Sequence, residues 1–88
     1  MNRYLIESKH TEEECHHILE QFVYFGFIYN FDWGCEDGVH AGWAIVPASD
    51  EKEALLAVPA PLRASAQVVR LNKFTPEMIQ VSHDAPGT

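Results

Sequence analysis

Both tryptophans and one of the two cysteines lie in the run Phe31-Asp32-Trp33-Gly34-Cys35-Glu36-Asp37-Gly38-Val39-His40-Ala41-Gly42-Trp43-Ala44-Ile45-Val46, together with the histidine best placed for chemistry, His40. In a hairpin closed at Glu36-Asp37-Gly38, His40 falls diagonal to Asp32, close enough for the carboxylate to orient the imidazole or raise its pKa. Glu7 from the first strand, with Arg70 and Asn72 from the last, can face the same way. The set reads as a ligand-binding surface in which Glu7, Asp32 and His40 share the binding and Arg70 supplies charge for a carboxylate. A histidine with a carboxylate neighbour beside a cavity can also serve as a general acid or base. Gly34 and Gly42 leave room for a ligand resting on the sheet. The competing reading is that these residues form the ordinary polar face of an antiparallel sheet, solvated or turned to a partner chain.

Metal binding is a lesser alternative. Cys15-His16-His17 and Cys35 with His40 contain suitable ligand types, but adjacent helix residues point about 100° apart and do not chelate. There is no C-x-x-C and no H-x-x-x-H. The expected ligands, if any, are His10, His17 and His40, with an oligomer able to assemble the site from two chains. Cys15 and Cys35 read as small core hydrophobes with reduced thiols, a disulfide between them staying open. The rings of Phe22, Phe25, Phe31, Trp33 and Trp43 could line an apolar pocket, though in so short a chain they read first as core.

The hairpin has two registers. A three-residue turn with Gly38 left-handed sets Cys35 opposite Val39 and places Phe31, Trp33, Cys35, Val39, Ala41, Trp43 and Ile45 on one face. His40 and Asp32 then share the other. A two-residue turn would pair Trp33 with Gly42 and split the tryptophans between faces. Because it keeps the apolar set together, the three-residue turn is the expected one.

The elements around the hairpin have local signals. Arg3-Tyr4-Leu5-Ile6-Glu7-Ser8 alternates as a strand does. Thr11 and Glu14 form a capping box for a helix that ends at Gly26, with Cys15, Ile18, Leu19, Phe22, Val23 and Phe25 as its apolar stripe. Strands are expected over 27–35 and 39–46, the latter stopped by Pro47. A short helix follows over 51–58, capped by Ser49 or Asp50. The stretch 60–65 turns back, 67–74 forms the fourth strand, and Thr75-Pro76 opens a helical turn over 77–81. Residues 1–82 form one domain, and 83–88 read as a disordered tail.

A chain of 88 residues that is 47% hydrophobic supports one modest core, which association would help. Its net charge of −7, with six scattered Lys and Arg, argues against nucleic-acid and membrane partners. No leader or long apolar run is recognisable, so a cytoplasmic protein is expected. No cofactor motif is found.

The element order predicts an α+β, ferredoxin-like β-α-β-β-α-β fold with a four-stranded antiparallel sheet, both helices on one face and a short C-terminal helical turn. The terminal strands are expected in the middle of the sheet, the first lying between the third and the fourth. On this order, its length and its aromatic hairpin, the stretch Arg3 to Phe74 resembles small proteins of the dimeric α/β-barrel superfamily, which includes muconolactone isomerases and small haem-degrading monooxygenases. Its opening Arg3-Tyr4-Leu5-Ile6-Glu7 is also similar to small nickel-binding single-domain proteins. The resemblance implies a homodimer and carries no functional residues. The expected function is therefore non-enzymatic binding of a metal or a small acidic or hydrophobic ligand on or beside the sheet. The alternatives are a small isomerase- or monooxygenase-like enzyme using His40, and a structural oligomerisation module.

Overall fold

The computed structural model describes residues 1–84. The chain is an α+β domain built on one four-stranded antiparallel sheet. Strand β1 (Asn2–Lys9) pairs on one side with β3 (Ala41–Ala48) and on the other with β4 (Ala66–Leu71), while β2 (Asp32–Trp33) adds to the outer side of β3. The order is β2-β3-β1-β4. The first strand does lie between the third and the fourth, but β4 is an edge strand and β3 holds the second central place. The short reversal between β2 and β3 makes those two neighbours, which leaves no slot for β4 inside.

Alternation along β1 and β3 makes two unlike faces. Tyr4, Ile6, Ser8, Gly42, Ala44 and Ala48 are buried on one of them. Phe22 of helix α1 (Cys15–Tyr24), Ala54 of α2 (Glu51–Ala54), Val58 and Phe31 complete the core with them. The opposite face carries Leu5, Glu7, Trp43 and Ile45, and Ile45 is 59% exposed.

Local signals set most boundaries. The Thr11–Glu14 box forms in both directions, Glu14 N–H donating to Thr11 Oγ1 at 3.2 Å and Thr11 N–H to Glu14 Oε1 at 3.0 Å. Gly26, at φ +82°, ends the helical segment where only glycine enters the left-handed region without strain. Asp50 Oδ1 accepts the Glu53 N–H at 2.8 Å and starts α2. That helix tightens into a 3-10 turn at Leu55–Ala57, and another 3-10 segment covers Ala60–Ser65. A third helix, α3 (Pro76–Asp84), is longer than the expected turn and takes in two residues of the expected tail. The remaining residues, 85–88, lie outside those described.

Four further expectations are corrected. The strand expected over 27–35 is cut to Asp32–Trp33 by 3-10 turns at Ile28–Asn30 and Cys35–Asp37. Strand β3 continues through Pro47, which lies past the end of β2 where that side of β3 has no neighbouring strand to accept a donor. The α1 stripe is narrower than its spacing implied: Phe22 is buried, but Val23 and Phe25 are exposed.

The fourth correction is the register. Trp33 pairs with Gly42 and Asp32 with Trp43, the pairing of the two-residue alternative, so the indoles lie on opposite faces. Trp33 enters the core against Phe22, ring centroids 4.8 Å apart, while Trp43 donates its indole N–H to Glu7 Oε2 at 2.8 Å. Phe22, Phe31 and Trp33 form one aromatic group that excludes Trp43.

Each indole covers a glycine. A Cβ at Gly42 would fall on Trp33 Cζ3, Cε3 and Cη2, the last only 2.8 Å away. One at Gly34 would meet Val39 O at 2.9 Å and Trp43 Cη2 at 3.1 Å. Gly42→Ala is therefore expected to cost about 1–3 kcal/mol in a urea-unfolding measurement, because the ring must leave its place in the core. Unchanged stability would show that Trp33 has room to move.

Candidate metal centre

The register brings four ligands together. The β1–β3 pairing, in which Lys9 opposes Ala41, continues one step so that the His10 N–H donates to the His40 carbonyl at 3.1 Å. The β2–β3 ladder likewise continues past Trp33 and Gly42, with Gly34 N–H donating to Ala41 O at 3.0 Å. There the ladder ends in the 3-10 turn that Cys35 opens, which leaves Cys35 beside His10 and His40. Cys15, the first residue of α1, completes the group.

Two tight turns hold these positions. From His10 to Cys15 the chain reverses through the Thr11–Glu14 box, with Cys15 N–H donating to Glu12 O at 3.3 Å. From Cys35 to His40 it passes through a 3-10 turn into Gly38, at φ +81°. Val39 N–H closes that turn on Gly34 O at 3.0 Å.

One nitrogen or sulfur from each of His10, Cys15, Cys35 and His40 lies within 4.8 Å of the other three. Cys35 Sγ is 3.6 Å from His10 Nε2. A tetrahedral zinc with two sulfurs at about 2.3 Å and two nitrogens at about 2.05 Å has sulfur–nitrogen edges of about 3.6 Å. The Cys35–His10 edge already has the length a Cys2His2 site requires, and the other sulfur–nitrogen edges, none above 4.8 Å, reach it with a contraction of about 1 Å or less. All four residues are partly shielded from solvent, and both cysteines are free thiols.

The polar atoms inside are poorly satisfied by protein alone. His10 Nδ1 and His40 Nδ1 are buried with no hydrogen-bond partner among the described residues. Leaving such a group unpaired costs about 1–3 kcal/mol. Burial lowers the His10 pKa, helped by the neighbouring His40 and opposed by Glu14. Burial raises the Cys35 pKa, and the hydrogen bond with the Cys15 thiol adds to the rise. Both shifts favour uncharged side chains without a metal. A cation would reverse the balance at sulfur, displacing thiol protons while binding a His10 imidazole that burial already holds toward its neutral form.

The five residues expected to bind a ligand are distributed over three places. Glu7 and Asp32 flank Trp43 on the open face, Glu7 accepting the indole N–H and lying 3.5 Å from Lys9 Nζ. Asp32 also lines a shallow hollow with Leu5, Asn30, Trp43 and Ile45. His40 is in the cluster against His10, ring centroids 5.7 Å apart, and Asp32 gives its Nδ1 no hydrogen bond. Arg70 belongs to the row of Tyr4, on the face opposite Glu7, and donates to Asn2 Oδ1 at 3.2 Å. Asn72 lies beyond β4 and is exposed. The expected common polar face is therefore not formed.

Of the metal ligands expected, His10 and His40 are in the cluster and His17 is exposed on α1 outside it. Both cysteines, read from the sequence as core residues, prove to be members. A signal was present in their spacing: His10-Thr11-Glu12-Glu13-Glu14-Cys15 and Cys35-Glu36-Asp37-Gly38-Val39-His40 are two mixed pairs of identical separation. Each pair mixes a cysteine with a histidine, so neither forms a C-x-x-C or H-x-x-x-H motif.

No helix among the described residues is long and apolar enough to cross a membrane. Comparison with protein-family models, with curated proteins and with solved structures gives no match.

Proposed function

We propose that this is a metal-binding protein whose His10, Cys15, Cys35 and His40 hold one divalent zinc ion in a tetrahedral site. The observation that carries the reading is the convergence of four ligand atoms, two sulfurs and two imidazole nitrogens, within 4.8 Å from two separate turns. Two thiolates and two imidazoles suit zinc better than magnesium or calcium, which prefer oxygen. Four protein ligands fill a tetrahedral site and keep no position for substrate, which favours a structural or metal-carrying role over catalysis. The strand order supports a ferredoxin-like arrangement of the domain, and the exposed Ile45 and Val69 of the open face support a homodimer.

Protein refolded with excess zinc and then desalted is expected to retain one metal per chain by elemental analysis. Cobalt in the same site should show the absorption of a tetrahedral, thiolate-bound ion. Cys35→Ser should weaken binding by at least about a hundredfold, since loss of a group merely supporting a ligand costs 10- to 100-fold. Substoichiometric metal that Cys35→Ser leaves unchanged would end the proposal.

A further inference from the structure

The cluster has an open side. A hollow of about 470 Å³ lies beside it, lined by the apolar Leu19, Ile28, Phe31 and Trp33, by Cys35, and by the carboxylates Asp32 and Glu36. Cys35 is the ligand that lines this hollow, and the Cys15 sulfur lies within 4.8 Å of the Cys35 sulfur. A closed structural site would bury all its sulfur; here one cysteine borders an open recess with a mixed apolar and acidic lining, and a second sulfur is within reach to resolve it. Resting on the zinc reading above, we infer that the centre is a redox-controlled metal store, in which a hydroperoxide entering the hollow oxidises Cys35, a disulfide to Cys15 forms, and the metal is released.

The step balances. The Cys35 thiolate attacks the nearer peroxide oxygen, forming an S–O bond and breaking O–O, and the departing oxygen takes a proton to leave as an alcohol or water. The Cys15 thiolate then attacks the Cys35 sulfur, an S–S bond replaces S–O, and the oxygen leaves as water with a second proton. Two electrons pass from the sulfurs to the peroxide. The product retains two imidazoles and no thiolate, too weak a donor set to hold zinc. Closing the gap to a disulfide length of about 2.05 Å requires side-chain rotation and movement of the two turns. A dithiol reductant with fresh zinc restores the starting state.

The test begins with zinc-loaded protein whose metal content has been measured, so failure to load is seen before any peroxide is added and overturns the metal reading itself. Hydrogen peroxide should then release zinc to a chromogenic chelator at the same rate as the intact protein loses the mass of two hydrogens. Peptide mapping should place the new bond between Cys15 and Cys35. Leu19→Trp, which narrows the hollow without altering a ligand, should slow both signals several-fold while zinc content stays the same. Loaded protein that keeps its zinc, or that loses it while Cys35 goes to sulfinic acid without a disulfide, overturns this inference and leaves zinc binding standing. An unchanged rate in Leu19→Trp overturns the hollow as the route of entry.

Discussion

Zinc added to the metal-free protein is expected to raise its melting temperature by roughly 15–30 °C, and a strong chelator to reverse the rise. A ligand present at about a thousandfold over its dissociation constant adds about 4 kcal/mol to stability, and each kcal/mol shifts a domain of this size by roughly 4–8 °C. The gain is large because four ligands from two turns far apart in sequence are fixed at once, beyond the end of the β1–β3 ladder. The His10–Cys15 turn meets the Cys35–His40 turn through the cluster, the His10 N–H to His40 O bond, and the His10 and Trp33 rings at 6.3 Å. In the unfolded chain no such set of ligands exists, so the binding energy is folding energy. Cys15→Ser, Cys35→Ser and His40→Ala should each lose most of the shift, while His17→Ala, on the exposed side of α1, should keep it in full. A rise that survives in Cys35→Ser would place the metal elsewhere.

The second large effect is expected at Phe22. Its side chain is wholly buried, and its ring meets Phe31 at 5.0 Å and Trp33 at 4.8 Å, edge to face in both cases. Phe22→Ala should cost about 3–5 kcal/mol through lost transfer energy and the cavity left behind. A chain of 88 residues has a total stability of only about 4–13 kcal/mol at about 0.05–0.15 kcal/mol per residue. The metal-free variant is therefore expected to lose about a quarter or more of its stability and to melt roughly 12–40 °C below the parent. Zinc, contributing a comparable amount, should restore most of that loss, which circular dichroism melts recorded with and without metal would show. A metal-free variant that melts with the parent would mean that the aromatic group is not what anchors α1 to the sheet.

The parts of the fold legible in the sequence are those decided within a few residues. Thr11 and Glu14 cap a turn, Gly26 ends a helical segment and Asp50 starts another, each through a bond or dihedral angle that neighbouring residues supply. The register of the Trp33–Trp43 hairpin was not legible by the same means. Keeping both indoles on one face seemed the cheaper arrangement as long as each was treated as a buried ring. Glu7, from a strand distant in sequence, accepts the Trp43 N–H and lets that ring lie on the open face, while the glycine opposite Trp33 makes room for the other ring. Gly42 is visible in the hairpin, but the Glu7 partner that makes the alternative register favourable is not.

The chain by itself determined two turns, each carrying one histidine and one cysteine at the same separation, because a tight turn needs only its own residues. Tertiary structure decided that the two turns meet. Side chains alternate across a sheet, so moving the hairpin by one residue sends Cys35 and His40 to opposite faces or to the same one. The side chosen depends on β1 and α1 packing against the hairpin, and that packing is what turns two unremarkable pairs into one four-ligand site.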